Sequence, residues 1–288
     1  MANILVTGAN GQLGSELRKI GFTSLDEVFY TDVADLDITN CEDIDRYVKE
    51  HDIDTIINCA AYTAVDKAED EPELAAKINT EAVANLAKVA EKQDCLLIHI
   101  STDYVFDGTG ESPYTEKDKS CPTSVYGETK LAGEKAIVKS GCLYIIIRTA
   151  WLYSTFGNNF VKTILRLAGE REELNVVADQ IGSPTYAEDL AQAIATIMRN
   201  DDRGFYEGIY HFSDEGVCSW FDFASEIVRL SGLPCKINPV TTAEYPTKTK
   251  RPAYSVLDKT KIKKTFDVTV PEWKESLERC MKVFVSKN

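Results

Sequence analysis

The 288 residues carry 32 Lys and Arg against 46 Asp and Glu, a formal net charge of −14, and 44% of them are hydrophobic. This is the composition of an ordinary globular chain, and it excludes disorder and a small disulfide scaffold. The acidic balance also argues against a nucleic-acid or membrane-surface partner, since either requires a basic face. The length suits one large α/β domain or two smaller ones. No basic segment precedes an apolar run at the start, and the longest later apolar stretch, 141–151, is too short to span a bilayer, so a cytoplasmic location is expected. None of the eight cysteines forms a CxxC pair, and His51, His99 and His211 are too scattered for a HExxH-type metal site.

In chain order, Asn3–Thr7 reads as a first strand, and Gly8-Ala-Asn-Gly11-Gln-Leu-Gly14 then opens a helix ending near Ile20. At this spacing Gly8 makes the tight turn, Gly11 lets the backbone approach a pyrophosphate, and Gly14 lets the helix meet the strand. The helix N-terminus supplies unpaired N–H donors, so the turn predicts nucleotide binding. Residues 27–31 read as a second strand closed by Asp32, where a carboxylate accepts both hydroxyls of an adenosine ribose; an aspartate serving only the turn or a helix cap is the alternative. In the following Leu36-Asp37-Ile38-Thr39, Asp37 would take the adenine amino group and Ile38 would pack on its face, or Asp37 or Thr39 would only cap the next helix.

A third strand is expected at 55–59 and a helix over 74–90, with Leu74, Ile78, Ala82, Leu86 and Val89 on its apolar stripe. Residues 96–100 read as a fourth strand, followed by Ser101-Thr102-Asp103-Tyr104-Val105-Phe106, and residues 144–148 as a fifth. Continuous β-branched strands alternating with amphipathic helices predict βαβαβ organisation around a parallel sheet covered on both faces. Beyond residue 150 the alternation loosens, with helices expected at 158–168, 186–199, 219–231 and 271–285 and strands near 174–177 and 208–212.

Tyr126-Gly-Glu-Thr-Lys130 lies between the fourth and fifth strands. On a helix, residues i and i+4 share a face, so the tyrosine hydroxyl and the lysine ammonium converge. Free tyrosine titrates near a pKa of about 10. A lysine charge about 4 Å away, worth about 4 kcal/mol at an effective dielectric of 20, would lower that by up to about three units. Tyr126 is therefore expected to act as a general acid near working pH. The alternative for the pair is a surface helix.

With these residues in view, the chain resembles the extended short-chain dehydrogenase/reductase superfamily, and within it the dTDP-4-dehydrorhamnose reductases. The similar stretches are Gly8-x-x-Gly11-x-x-Gly14, Asn58 to Glu69, Ser101 to Phe106, Tyr126 to Glu134, Arg148 to Trp151, Gly157 to Phe160, Asp179 to Thr185 and Arg251-Pro252. The resemblance implies an α/β fold: a Rossmann-type doubly wound parallel sheet over residues 1–170, and a smaller, mainly substrate-binding lobe over 171–288 interleaved with it. It implies Thr102, Tyr126 and Lys130 as the catalytic trio. Gly8, Gly11, Gln12, Leu13, Gly14, Asp32, Asp37, Ile38, Ala61, Tyr62, Thr63, Tyr126 and Lys130 would hold NADPH or NADH. Thr102, Asp103, Tyr104, Trp151 and Arg251 would meet a dTDP-sugar whose C4 ketone is reduced. Trp151 as plain core and Arg148 as a strand-end ion pair are the simpler alternatives. Related dehydratases carry Thr-Asp-Glu where this chain has Thr102-Asp103-Tyr104, which disfavours elimination.

The basic run Lys248-Thr-Lys250-Arg251 is the candidate for the substrate diphosphate, or else a solvated loop. The resemblance leaves room for a homodimer and for a bridging magnesium ion. Two other readings stay open at this point: another nucleotide-sugar reductase or epimerase, and a non-enzymatic subunit of the methionine adenosyltransferase regulatory type.

Overall fold

The computed structural model describes residues 2–200 and 202–285. Its first half runs β1 (Asn3–Thr7), α1 (Gln12–Ile20), β2 (Glu27–Thr31), α2 (Cys41–Glu50), β3 (Thr55–Asn58), α3 (Val65–Ala68), α4 (Pro72–Ala76), α5 (Ala82–Lys92), β4 (Leu96–Thr102), α6 (Val125–Ser140) and β5 (Tyr144–Thr149). The second half contains β6 (Leu152–Tyr153), α7 (Phe160–Glu170), β7 (Glu173–Val177), β8 (Ile181–Gly182), β9 (Thr185–Tyr186), α8 (Ala187–Arg199), β10 (Gly208–His211), β11 (Cys218–Ser219), α9 (Trp220–Ser231), β12 (Lys236–Val240), α10 (Thr260–Phe266) and α11 (Trp273–Val285). Among the described residues no helix is long and apolar enough to cross a membrane.

Six strands form one parallel sheet in the order β10-β5-β4-β3-β1-β2. The strand order reverses between β1 and β3, and in such sheets the crevice at the carboxyl ends of those strands binds ligands. Helices cover both faces. Ile4, Val6, Ile98, Ile145 and Ile147 pack on one side with α1, α8 and α10, while Leu5, Ile56, Leu97 and Ile146 pack on the other with α2, α5 and α6.

The second of these faces changes character at its upper end. Side chains two apart on a strand share a face, so Leu5 is followed there by Thr7, Ile56 by Asn58, Leu97 by His99, and Ile146 by Arg148. The ladder pairs Thr7 with Asn58 and Asn58 with His99. All four polar residues are buried.

A separate core forms beyond β5. Tyr153, Val161, Leu174, Tyr186, Phe223, Ile227 and Trp273 join α7, α9 and α11 to the β7–β12 pair. Residue order does not follow this division, because α8, β10 and α10 return to the main sheet. Several elements were not foreseen, β12 and α10 among them. The strand β12 contains Pro239 and pairs with β7 in a two-stranded sheet, where a proline is tolerated at an edge. The helix α10 is short and buries only Ile262 and Phe266.

The expected helix over 74–90 is interrupted by a π-helical turn, Lys77–Glu81, between α4 and α5. Leu74 is exposed, and the buried positions ahead of Ala82 are Ala75 and Asn79. A π turn accommodates one extra residue and so displaces the apolar stripe. It also aims Asn79 inward, where its amide bonds both the N–H (2.9 Å) and the carbonyl (3.1 Å) of Tyr62 and reaches the Thr129 hydroxyl at 3.2 Å. The loop after β3 is thereby fixed to α6.

Helix α6 approaches this turn at Gly133, where an added Cβ would lie 2.3 Å from the Asn79 carbonyl oxygen. In an unobstructed helix interior, Gly→Ala stabilises by about 0.5–1 kcal/mol. Gly133→Ala is expected to destabilise instead, by about 1–3 kcal/mol, because two backbones must separate. A lowered urea midpoint at unchanged slope is the expected reading, and a raised midpoint contradicts this packing.

Candidate active site

The glycine turn is built as its spacing predicted. Gly8 has φ +66°, and a Cβ there would lie 2.6 Å from the Ala60 nitrogen after β3; a Cβ on Gly14 would lie 2.5 Å from the Ala9 Cα. Gly11 caps α1 without any side-chain bond to the first-turn N–H groups, and that turn carries no acidic residue. The donors stay available to an anion, and the residues present fit a dinucleotide pyrophosphate.

A cavity of about 560 Å³ opens at the carboxyl ends of the strands. It collects Gly11, Gln12, Leu13, Ala61, Thr63, Thr102, Asp103, Tyr104, Tyr126, Lys130 and Trp151 from the expected set. It is also lined by residues to which the sequence assigned no role: Cys59, Val65, Ile100, Ser101, Thr149, Ala150, Leu152 and the loop Gly157-Asn158-Asn159. That loop is anchored over α1, with the Asn159 amide donating to Gln12 Oε1 at 2.9 Å, and Gly157 has φ +60°. The similarity of Gly157 to Phe160 was the one sequence signal for it.

The other expected residues lie outside this cavity. Gly8 and Gly14 form the turn beneath it. Asp32 uses its carboxylate within the turn, accepting from the N–H groups of Asn10 (3.0 Å) and Val33 (2.8 Å). Asp37 accepts from Thr39 N–H at 2.9 Å, which draws its carboxyl below the usual range, while Asn40 caps α2. Ile38 belongs to the main core. Tyr62 is held by Asn79 through its backbone and donates its hydroxyl to Glu71 at 2.5 Å.

Tyr126 and Lys130 share one face of α6, but they do not interact as expected. The Lys130 ammonium donates to the Ile100 carbonyl at 2.6 Å and lies 3.4 Å from His99 Nε2. Burial pushes the Tyr126 hydroxyl above the ordinary tyrosine range, with a Thr102 hydrogen bond opposing. The expected lowering by Lys130 is absent because desolvation dominates and the lysine points to the β4 backbone. Burial likewise brings Lys130 down to about 8, against the neighbouring Glu134 and Cys59. Asp103 is pushed up to about 7 by burial while its carboxylate accepts from Thr102 Oγ1 at 2.9 Å. Behind them Arg148 forms a two-point ion pair with Glu134 (2.9 and 2.6 Å), which also accepts from Ser101. The strand-end ion pair is thus the observed role of Arg148.

Trp151 and Tyr104 also line a second cavity of about 420 Å³, with Phe160, Ile164, Leu167, Val176, Gln180, Trp220, Tyr245, Thr247 and Arg251. Trp151 has φ +49° and stacks on Trp220 with ring centres 3.6 Å apart. A positive φ at a bulky residue is strained and persists only where packing enforces it. Here Gly182 lets the ring approach, since a Cβ there would lie 2.6 Å from it. Arg251 bridges the Tyr104 hydroxyl (3.0 Å) and the Asp66 carboxylate (2.6 Å), and Lys248 pairs with Asp70.

Among the described residues no three His, Cys, Asp or Glu side chains converge, and Glu16 and Glu188 share the Lys19 ammonium.

The family model described as RmlD substrate binding domain matches residues 1–286. A dTDP-4-dehydrorhamnose reductase of Burkholderia thailandensis is 41% identical over 297 residues, covering 99% of each chain. The solved structure of a dTDP-4-dehydrorhamnose reductase from Clostridium acetobutylicum superposes with a TM-score of 0.94 at 46% identity, covering 98% of this chain and 99% of that one. Another from Bacillus anthracis, in complex with NADP, gives 0.93 at 40% identity over 99% of both. Similarity of this extent, in sequence and in fold, means that the chain belongs to the dTDP-4-dehydrorhamnose reductase family.

Proposed function

We propose that this chain reduces the C4 ketone of dTDP-4-dehydro-β-L-rhamnose to dTDP-L-rhamnose with a nicotinamide dinucleotide. The carrying observation is the pair of adjoining cavities: one joins the glycine turn to Thr102, Tyr126 and Lys130, the other is largely apolar, and Tyr104 and Trp151 form the wall between them. The first suits a dinucleotide reaching from the α1 N-terminus towards Tyr126. The second suits a nucleobase among Phe160, Trp220 and Leu167, with the sugar at the shared wall.

The bound cofactor supplies hydride to the ketone carbon. Gly11, Gln12 and Leu13 at the α1 N-terminus would hold its pyrophosphate, Ala61 and Thr63 would border it, and the Asp32 carboxylate would accept the adenosine ribose hydroxyls. Thr102 hydrogen-bonds the sugar oxygen, and Tyr126 donates the proton that the developing alkoxide needs. A tyrosine whose pKa burial has raised remains protonated at neutral pH, so the acid is loaded before reaction. Arg251 is the cation for the diphosphate. Its present partners, Asp66 and the Tyr104 hydroxyl, hold the guanidinium at the cavity wall. The position next to Asp103 carries Tyr104, whose hydroxyl is engaged by Arg251 and which offers no carboxylate to remove a proton beside the ketone.

Oxidation of NAD(P)H in the presence of a panel of 4-keto nucleotide sugars tests this reading, and inactivity on all of them refutes it. Tyr126→Phe is expected to lower kcat by about 10²–10⁴-fold with cofactor affinity nearly unchanged, since only the transferable proton is lost. NADH is expected to serve at least as well as NADPH, because the Asp32 carboxylate repels a 2′-phosphate; an NADPH preference that survives Asp32→Ala refutes that placement. Incubation with dTDP-glucose and NAD is expected to yield no 4-keto-6-deoxy product.

A further inference from the structure

The stretch from Asp179 meets the segment after β12 beside the second cavity, and the hydrogen bonds between them have a fixed direction. Asp179 accepts from the Thr242 hydroxyl at 2.7 Å and from the Thr242 backbone N–H through both carboxylate oxygens, at 2.8 and 3.0 Å. The hydroxyl and then the N–H draw the Asp179 carboxyl below the usual range, so it is ionised near neutrality and can only accept. A threonine hydroxyl has one hydrogen, and here it is spent on Asp179. The Gln180 amide lies 3.1 Å from the same Thr242 oxygen. That oxygen has only lone pairs left to offer, so the group facing it is the NH₂ of the glutamine. The amide is therefore held against flipping, and its Oε1 faces the other way. Gln180 lines the second cavity with 5% of its surface exposed, and its Oε1 has no partner among the described residues. A buried acceptor in that position requires a donor on whatever fills the cavity.

We infer that Gln180 sets which base the second cavity accepts, with Thr242 and Asp179 holding its amide: Oε1 receives the N3–H of a pyrimidine imide, uracil or thymine. The inference rests on the reading above that this cavity takes the nucleotide of the substrate. In that reading Arg251 serves the diphosphate and the Tyr104–Trp151 wall serves the sugar, which leaves the base to Gln180. Uracil and thymine carry a hydrogen on N3, whereas cytosine presents a bare, accepting N3 in the same place. An acceptor that cannot turn meets the first with a hydrogen bond and the second with opposed lone pairs. Asn175 also lines the cavity, but it is exposed, and an exposed amide turns to suit either base. Rejection of cytosine thus comes from the direction of the Gln180 amide, an unfavourable contact built against the wrong base. The two segments that fix this direction are joined by backbone as well, since the Ala178 N–H donates to the Val240 carbonyl at 2.9 Å.

Calorimetric binding of four nucleoside diphosphates to the full-length protein tests the inference without turnover. Wild type is expected to bind dUDP about 10–100-fold more tightly than dCDP, and dTDP more tightly than its N3-methyl derivative by a similar factor, the effect of leaving one buried acceptor unpaired. Thr242→Val keeps the backbone N–H on Asp179 but removes the hydroxyl, so the Gln180 amide is free to turn its NH₂ towards a bare N3. In that variant the preference for dUDP over dCDP is expected to fall to about 3-fold or less, chiefly through tighter dCDP binding. A variant that weakens both nucleotides equally and keeps the preference gives Thr242 a structural role alone and overturns the inference. Wild type that binds the N3-methyl derivative as tightly as dTDP also overturns it, and this comparison decides if the variant does not fold. A protein that binds none of the four refutes the nucleotide reading of the cavity. One that binds all four alike keeps that reading and overturns only the assignment to Gln180.

Discussion

One face of the central sheet ends in a row of polar side chains that water does not reach. Thr7, Asn58, His99 and Arg148 lie side by side on four strands, above positions that are aliphatic. Buried groups of this kind are tolerable only if each finds a partner. Helix α6 brings Lys130 to His99 and Glu134 to Arg148, so its depth and rotation on the sheet are set by a need for hydrogen bonds as much as by apolar contact. Removing one member of the Arg148–Glu134 pair would leave a buried charge, which typically costs about 3–5 kcal/mol. Once α6 is seated in this way, Tyr126 is delivered to the mouth of the cavity without further adjustment.

Tyr126 and Lys130 have been pushed away from their charged forms by the same cause, burial. This differs from the pairing expected of a YxxxK helix, in which the lysine charge draws the tyrosine down. Tyr126 is therefore neutral near neutrality, while Lys130, brought down to about 8, still carries its charge for the most part. Asp103 is intermediate, since a carboxyl pushed up to about 7 is only partly ionised near neutrality.

The sequence was most informative where function is carried by local geometry. The turn from Gly8 to Gly14, the strand before Thr102 and the helix from Tyr126 to Lys130 each depend on neighbours within a few residues, and each stands where its spacing put it. It was least informative where one residue alters the register or the partner is distant. The π turn at 77–81 shifts the apolar stripe by inserting a residue that periodicity cannot see, and so Leu74 was expected inside and Asn79 was overlooked. Ile38 joins the apolar core and Asp37 accepts from the Thr39 N–H within a turn, contacts that residue spacing alone does not distinguish from an adenine border. The second cavity is assembled from α7, the loop after β7, Trp220 and the 245–252 segment, which share no sequence pattern. The tilt of Trp151 into both cavities follows from a left-handed backbone and a glycine at 182, thirty-one positions away, and no rule of spacing connects them.

The Trp151–Trp220 stack has an optical consequence. The chain holds three tryptophans, and two of them lie face to face at 3.6 Å in the wall of the second cavity, while Trp273 is buried in the lobe core. Indole rings so close couple their excited states and quench one another, so the stacked pair should give an excitonic band in near-ultraviolet circular dichroism while Trp273 supplies most of the emission. A base sliding between Phe160 and Trp220 would disturb that stack before any chemistry occurs. The protein thus has an internal chromophore at its proposed substrate end, separate in wavelength from the nicotinamide at the other.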